Sequence, residues 1–258
     1  MNISVVIPTR NRKNTICYVL KSISKQNYPP DKVEVIVVDD NSTDGTFEEI
    51  NRRSWPMKVK VLKTDWPAES SNAHQCRNLG LSEVQHELVL FLDSDMALSK
   101  KVLPELVKTY KHWEEKGEKV GVRGWWKQVS GFRYSKRRLL MNFYDYRKDI
   151  KKSKKLRELL EMKDNLDPLR AFGGFLMVPS DHAKKVGGFD QDITVYGYDL
   201  MLSIRIKNEF GTRYIFCPEA YGVHKPLWGD ETNRRFKSSY KKEDVAVKLK
   251  NNLGNSRD

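Results

Sequence analysis

The sequence predicts an α/β fold with a mostly parallel central sheet and helices on both of its faces. Over roughly the first 120 residues, short apolar runs alternate with longer amphipathic stretches, which is typical of repeated strand–helix units. The apolar runs are almost continuous, as expected for strands that are buried on both faces. A chain of 258 residues is long enough to form one such domain.

The predicted elements follow one another in strand–helix order. A strand at 3–7 precedes a helix at 14–26, which Pro29 and Pro30 close, and an apolar strand follows at 33–38. The same pattern then predicts a helix at 46–53, a strand at 59–62, a helix at 72–82, a strand at 88–92 and a helix at 103–113. After Gly121 the strict alternation ends, and strands are predicted at 122–129, 172–178 and 215–217. We therefore expect a single compact unit in two halves, 1–120 and 121–258.

Composition narrows the class of protein. The longest apolar runs fall far short of the about 20 residues that a membrane-spanning helix needs, and the N-terminus lacks a signal-peptide pattern, so we expect a cytoplasmic protein. The three cysteines, Cys17, Cys76 and Cys217, form no Cys-x-x-Cys pair, which argues against a disulfide framework and against a zinc ribbon. The net charge of +13 favours anionic partners.

The positive charge is concentrated in residues 133–157, where eleven Lys and Arg stand against two Asp. Leu139, Phe143 and Ile150 recur there at helical spacing, which is typical of an amphipathic helix that lies on the inner, anionic face of a membrane. A solvated charged face explains the same pattern, and so does binding of a membrane-bound or polyanionic acceptor. Nucleic acid is not an expected partner, because the chain carries none of the usual nucleic-acid-binding motifs.

Polar clusters follow three of the predicted strands at their carboxyl ends, where open α/β sheets bind ligands. The clusters are 8–12, 39–45 and 93–95. Residues 39–45 have the composition of a turn and a helix N-cap, but the adjacent carboxylates of Asp39 and Asp40 also suit hydrogen bonds to ribose hydroxyls and to a base N–H. Asp93-Ser94-Asp95 is either a surface turn or a metal site, since hard divalent cations prefer carboxylate oxygens together with substrate phosphates.

These clusters and three other motifs resemble the family 2 glycosyltransferases, which are inverting enzymes of the GT-A fold. The matching stretches run in family order and are specific when taken together: 6–12, 37–46, Arg77-Asn78-Leu79-Gly80, 91–95, Gly187-Gly188-Phe189-Asp190 and Gly197-Tyr198-Asp199. The resemblance implies a Rossmann-like GT-A sheet, with a donor-binding half at 1–120 and an acceptor-binding half at 121–258. It also implies an enzyme of the hexosyltransferase class.

The resemblance assigns a role to individual residues of this chain. By the family pattern, Pro8, Arg12 and Asp39 hold the nucleoside. Arg77 holds the donor, and Asp93, with Ser94 beside it, contacts the ribose or the sugar. Asp95 ligates Mn²⁺ or Mg²⁺, and Asp199 is the catalytic base. The family usually has Glu-Asp at this last motif, whereas this chain has Tyr198-Asp199, and the difference bears on how the acceptor is oriented.

Three further features each have a structural and a functional interpretation. His224 follows a predicted strand at the place where many metal-dependent relatives carry a metal-binding histidine, and a structural histidine is the alternative. Gly173-Gly174 is either a bulge or tight turn, or a place where the donor sugar approaches the backbone; on the family pattern Gly174 is assigned to the donor pocket. Trp125, Trp126 and Trp228 either belong to the core or offer an aromatic face to a sugar ring.

The function implied by the resemblance is the metal-assisted transfer of a sugar from a nucleotide-sugar to a glycan, lipid-linked or other hydroxyl acceptor. A UDP-sugar is the expected donor class. Two alternatives stay open. A sugar nucleotidyltransferase would need a Gly-rich phosphate loop where this chain has 8–12. A non-catalytic nucleotide- or carbohydrate-binding descendant of the fold is supported by Tyr198 in place of the usual Glu.

Overall fold

The computed structural model describes residues 1–67, 72–128, 153–168, 171, 174–191 and 198–224. Its strands are β1 (Ile3–Thr9), β2 (Val33–Asp39), β3 (Lys58–Lys63), β4 (Leu88–Leu92), β5 (Met96–Leu98), β6 (Val120–Gln128), β7 (Phe175–Pro179) and β8 (Arg213–His224). Its helices are α1 (Lys13–Ile23), α2 (Thr46–Asn51), α3 (Ala73–Ser82), α4 (Val102–Glu114), α5 (Lys154–Glu161), α6 (Ser180–Lys185) and α7 (Tyr198–Phe210).

The eight strands form one sheet in the order β3-β2-β1-β4-β7-β6-β8-β5. Strands β1 to β4 are mutually parallel where they pair, and β6 is parallel to β8. Strand β7 is antiparallel to both β4 and β6, and β5 is antiparallel to β8 at the edge. The sheet therefore joins strands from both halves of the chain, and the prediction of an α/β fold with a mostly parallel sheet is confirmed.

The sheet separates two hydrophobic cores because successive residues of a strand point to opposite faces. Val5 and Val35 point to the core that contains α1 and α4, whereas Val6 and Ile36 point to the core that contains α3, α5 and α7. Helix α3 lies very close to β1, since a Cβ on Gly80 would be only 2.5 Å from a methyl group of Val6. This glycine of the Arg77–Gly80 motif therefore allows the close packing of α3 on the sheet.

Several helices and strands have different bounds from those predicted, and some of them were not predicted at all. The predicted helices and strands of the first 120 residues are present, but β5, α6 and α7 were not anticipated, because short or mixed segments carry little periodicity.

Leu139, Phe143, Ile150 and Trp228 lie outside the described residues. In α5, at the end of the basic segment, Leu156 and Leu159 are buried in the core, and the lysines are exposed. Among the helices that the structure describes, none combines the length and the apolarity needed to cross a bilayer.

Glu34 is a buried carboxylate in β2 and lies near the edge of the sheet opposite to the polar clusters. It accepts hydrogen bonds from the Ser4 hydroxyl and, at 3.2 Å, from the backbone N–H of Gln85, and Lys58 Nζ lies 3.6 Å away. Burial alone would raise the pKa of Glu34, but these donors and positive charges outweigh it and lower the pKa below its ordinary value. The folded state therefore favours the ionised form.

We predict that Glu34→Gln lowers the free energy of unfolding near neutral pH by about 1 to 2 kcal/mol, because hydrogen bonds to a charged group are lost. A lowered folded-state pKa stabilises the protein above the unfolded value of about 4.3, and this contribution disappears as the pH falls through the folded value. The difference between variant and wild type should therefore shrink in acid. Urea unfolding at a series of pH values measures it, with the exposed Glu115→Gln as the control. A difference that is constant with pH would contradict the prediction.

Candidate functional site

The three polar clusters meet at one edge of the sheet. Strands β2, β1 and β4 are parallel neighbours, so their carboxyl ends point the same way, and Thr9 at the end of β1 lies opposite Asp39 at the end of β2. The loop after β4 leaves from the same edge, because Val6 of β1 pairs with Phe91 of β4. The three clusters predicted to follow strands therefore lie at the same edge of the sheet.

The loops after β1 and β2 are tied together by hydrogen bonds. The backbone N–H of Asn11 donates to the Ser42 hydroxyl, and that of Arg12 donates to the Thr46 hydroxyl, both at 2.8 Å. Asn11 adopts a positive φ of 50°, which asparagine tolerates better than most residues. Since α1 begins directly after Arg12, these bonds fix where the Arg12 side chain starts.

Asp39 has a free acceptor atom in a buried position. Its side chain is fully buried, one oxygen accepts from the Ser42 hydroxyl, and Oδ2 has no hydrogen-bond partner among the described residues. Burial raises the pKa of Asp39, and the hydrogen bond from Ser42 opposes the rise. Asp40 differs, because it accepts from Arg10 at 3.2 Å and from Asn72 at 3.0 Å. A buried acceptor without a donor is uncommon, so Asp39 is the better candidate for contact with a ligand N–H or hydroxyl.

Asp93 is held by two groups from other parts of the fold. The buried guanidinium of Arg77 donates to the Asp93 carboxylate. The backbone N–H of Asp93 donates to the carbonyl oxygen of Gly174 at 3.2 Å. A Cβ on Gly174 would collide with the Asp93 carboxylate, so a side chain at this position would displace it. The small residue predicted for a donor pocket thus lies directly against Asp93.

Asp93, Asp95 and His224 form a cluster in which one ligand atom from each lies within 4.8 Å of the others. The pairing of β5 with β8 creates it, because Met96 is opposite His224 and Asp95 directly precedes Met96. His224 Nε2 is 3.1 Å from Asp95 Oδ1, and both side chains keep some exposure to solvent. Two carboxylate oxygens and an imidazole nitrogen are a donor set that fits Mn²⁺ or Mg²⁺ completed by phosphate oxygens.

The charges in and around this cluster shift the pKa values of His224 and Asp93. Burial lowers the pKa of His224, but the hydrogen bond to Asp95 and the charges of Asp95 and Asp93 outweigh it, so the pKa is raised. Arg12 lies near enough to oppose that rise. The pKa of Asp93 is raised by burial and by the nearby Asp95 and Asp199, against the effect of Arg77. Arg12 and Asp199 therefore lie within electrostatic reach of the cluster although they are far apart in sequence.

The remaining predicted residues occupy defined places. Asp199 lies in the first turn of α7, where its carboxylate accepts from the N–H of Leu200 at 3.0 Å. Ser94 is partly exposed in the turn between β4 and β5. Pro8 is buried within β1 opposite Val38, so it contributes to the wall of the edge rather than to its open surface.

Trp126 lies beside the cluster, whereas Trp125 does not. The ring centroid of Trp126 is 6.4 Å from that of His224, and the guanidinium of Arg123 lies 4.8 Å from the Trp126 ring. Trp125 is buried and packs edge-on against Phe216, so it belongs to the core. The two rings still lie 6.4 Å apart between centroids, and the register of β6 against β8 shifts between Arg123 and Trp125, so their different surroundings do not follow from simple alternation along the strand.

Asn78 lies within the Arg77–Gly80 motif, but no role for it was predicted from the sequence. Its side chain donates to the carbonyl oxygen of Phe189 at 2.8 Å and accepts from the N–H of Phe189 at 2.7 Å. The separation of 111 residues between the partners explains why no local pattern could reveal the contact. The signal available in the sequence was that both partners lie in motifs, 77–80 and 187–190.

A model of the family described as glycosyl transferase family 2 matches residues 4–172, about two thirds of the chain. The chain belongs to glycosyl transferase family 2. The match covers the three polar clusters and the Arg77–Gly80 motif, whereas Asp199 and His224 lie beyond it. The family resemblance inferred from the motifs is therefore confirmed.

Similar proteins add to this family assignment. The poly(ribitol-phosphate) β-N-acetylglucosaminyltransferase TarS of Staphylococcus aureus is 37% identical over 107 residues, which are 41% of this chain and 18% of TarS. The crystal structure of S. aureus TarS 1-349 in complex with UDP-GlcNAc gives a TM-score of 0.66 at 20% identity, over 96% of this chain and 64% of that one. The mannosyltransferase PcManGT from Pyrobaculum calidifontis, in complex with GDP-Man and Mn²⁺, gives a TM-score of 0.62 at 22% identity, over 90% and 59%.

These likenesses confirm the predicted GT-A fold of this family 2 chain. The chain spans 18% of the length of TarS and less than two thirds of either solved structure.

We predict that the Asp93–Asp95–His224 cluster binds Mn²⁺ and that Asp95→Ala weakens the binding at least about tenfold, the loss that follows when even an indirect support of a metal ligand is removed. Only neutral imidazole can be a ligand, so protons compete with the metal. Because the pKa of His224 is raised, affinity should keep rising with pH above about 6.5.

Electron paramagnetic resonance of free Mn²⁺ measures this affinity from about pH 5.5 to about pH 8.5. His224→Ala should bind more weakly and lose the pH dependence. The exposed His112→Ala on α4 is the matched control and should titrate like the wild type. Equal affinity in Asp95→Ala and wild type would show that the cluster is not the binding site.

Proposed function

We propose that this protein is a glycosyltransferase that moves a sugar from a nucleotide-sugar to an acceptor hydroxyl. The observation that carries the proposal is the arrangement along one edge of the sheet, where the buried acceptor of Asp39 ends β2 and where Asp93 and Asp95, after β4, meet His224 at the end of β8. Asp199 lies within electrostatic reach of that cluster. Such an arrangement supplies a place for a nucleoside, a place for a diphosphate and a base, and membership of the family supports the assignment.

The nucleoside is proposed to lie against the ends of β1 and β2. There the buried Oδ2 of Asp39 would accept a hydrogen bond from a base N–H or a ribose hydroxyl, and Pro8 would form part of the wall. Arg77 holds the Asp93 carboxylate, and Asp93, with Ser94 beside it, would contact the ribose or the sugar. A UDP-sugar is the proposed donor class, supported by the structural likeness to TarS in complex with UDP-GlcNAc.

The diphosphate is proposed to lie beside Asp95, His224 and Arg12. Asp95 and His224 would hold Mn²⁺ or Mg²⁺, and the ion, when bound, would neutralise the charge that grows on the leaving diphosphate. The family pattern assigns Arg12 to the nucleoside, but its positive charge acts on His224, so we place it nearer the diphosphate instead. A guanidinium is suited to phosphate oxygens because its donors can bind two oxygens at once.

Asp199 is proposed as the general base of an inverting transfer. The acceptor oxygen would bond to the anomeric carbon on the face opposite the diphosphate, and the bond from that carbon to the diphosphate oxygen would break with its electron pair leaving on the nucleoside diphosphate. The acceptor proton would pass to the Asp199 carboxylate. With Tyr198 in place of the usual Glu, Asp199 would act as the single carboxylate of this motif.

The acceptor is proposed to approach from the elements after residue 120. In the order of the strands, β6 and β8 lie on the side of β4 away from β2, so Trp126 and His224 are farther along the sheet from Asp39 than Asp93 is. An aromatic ring at this place could stack on a sugar, which suits a glycan or lipid-linked acceptor. Residues 1–120 would then bind the donor and residues 121–258 the acceptor.

We predict that UDP binds in the presence of Mn²⁺ and that Asp39→Asn weakens the binding about tenfold, since a hydrogen bond to a charged group is lost. Asp199→Asn should bind UDP like the wild type but release UDP from a UDP-sugar about 100 to 10,000 times more slowly, the range for loss of a general base. Calorimetry with UDP and GDP and a coupled assay of UDP release measure the two effects. Asp31→Asn, exposed before the other end of β2, is the control.

The outcomes separate the alternatives. If neither UDP nor GDP binds, the transferase proposal is wrong. If UDP binds and neither wild type nor Asp199→Asn releases UDP from any UDP-sugar, the non-catalytic alternative is favoured. If GDP binds and UDP does not, the donor class is wrong while the arrangement of the site stands.

Contact of residues 133–157 with an anionic membrane stays a prediction. The exposed Lys154 and Lys155 on α5 are consistent with it, because the apolar face of α5 is used in the core and leaves the lysines outside. We expect the wild type to sediment with phosphatidylserine vesicles and a variant with Lys151, Lys152, Lys154 and Lys155 replaced by Gln to sediment less. Equal sedimentation would remove the membrane proposal and leave a solvated charged face.

A further inference from the structure

The segment 186–190 connects the two sides of the proposed active site. On one side, the Asn78 amide of α3 forms two hydrogen bonds to the backbone of Phe189, at 2.8 and 2.7 Å, and so imitates a neighbouring strand. Gly188 adopts a φ of +70°, and a Cβ there would collide with the Asn78 amide oxygen. The segment therefore needs both the amide and the glycine to take this shape.

On the other side, Arg205 of α7 binds the same segment. Its Nη1 donates to the carbonyl oxygen of Val186 at 3.0 Å, and its Nη2 donates to the carbonyl oxygen of Gly188. One planar guanidinium thus holds two carbonyl groups, which fixes α7 relative to the segment in both position and direction. Asp199 lies in the first turn of the same helix.

The side chain of Phe189 completes the connection to the donor side. Its ring packs edge-on against Phe91 at 4.8 Å between centroids, two residues before Asp93. The guanidinium of Arg77 lies 5.6 Å from the centre of the Phe189 ring. Through Phe189, the segment 186–190 therefore supports the Arg77–Asp93 pair. Arg205 holds the same segment to α7.

We propose that Asn78 and Arg205 are positioning residues that clamp the segment 186–190 between α3 and α7 and thereby fix Asp199 relative to the Arg77–Asp93 pair. The role in catalysis rests on the proposed function of Asp199 as the base. A misplacement of about 1 Å caused by a distant change can cost about 100-fold in rate, so such a clamp matters even though neither residue meets the substrate.

Hydrogen exchange tests the clamp without any turnover. In Arg205→Gln, amides of the first turns of α7 should exchange about tenfold faster than in the wild type, which corresponds to about 1.4 kcal/mol of easier local opening. Asn78→Ala should speed exchange in 186–190. Lys207→Gln, which removes an exposed positive charge from the same helix, is the matched control and should leave exchange unchanged.

Kinetics of UDP-sugar hydrolysis then test the consequence. Arg205→Gln should lower kcat by at least about tenfold and leave KM for the donor within about twofold, because Asn78 still holds Phe189 on the donor side when Arg205 is removed. In an Asp199→Asn background the same change should have almost no further effect, since a residue that acts through Asp199 has nothing left to position. Arg205→Lys should recover part of the rate, because an ammonium can still meet one of the two carbonyl groups.

Each outcome decides the inference. Unchanged exchange in α7 of Arg205→Gln would overturn it whether or not the protein turns over a sugar, so its failure and that of the proposed function are distinct results. Additive losses of rate in Arg205→Gln and Asp199→Asn would also overturn it, because Arg205 would then act independently. If Arg205→Gln does not fold, hydrogen exchange in α7 and kcat are measured on Arg205→Lys instead. Exchange rates in α7 and a kcat equal to those of the wild type would then overturn the clamp.

Discussion

The pairing of β5 with the last residues of β8 is the contact on which the candidate site depends. Three residues of β5 are enough to set Met96 opposite His224 and so bring the imidazole to Asp95 from the far end of the described chain. The antiparallel ladder fixes the register, and a slip of one residue would turn His224 to the other face of the sheet. The metal-binding potential of this protein is therefore a property of strand pairing.

The polar groups at the edge of the sheet divide into those that build the site and those that stay available to a ligand. Asp40 is occupied by Arg10 and Asn72, and it fastens the loop to α3. Asp39, the last residue of β2, keeps a buried oxygen without a partner among the described residues. An unsatisfied buried acceptor costs free energy in the empty protein, and a ligand donor would recover it, which links stability to binding.

The motifs of the family acquire physical reasons from their contacts. In Arg77-Asn78-Leu79-Gly80, the arginine holds Asp93, the asparagine holds the backbone of Phe189 and the glycine allows close approach to Val6. In Gly187-Gly188-Phe189-Asp190, the second glycine makes room for the asparagine. The two motifs are therefore one structural unit, made from segments about a hundred residues apart, and Arg205 extends that unit to α7.

The sequence by itself determined the α/β class, most strands and helices of the first half and the three polar clusters, because these follow from local periodicity and from the rule that parallel strands end at one edge. It also offered Asp93 and Asp95 as a turn or a metal site from their place after a strand, whereas His224 became a candidate through family resemblance. Tertiary structure alone decided that His224 meets Asp95, that Asp39 rather than Asp40 keeps an open acceptor, and that Trp126 rather than Trp125 borders the site. Each of these depends on pairing and packing between segments distant in the chain, which no local pattern encodes.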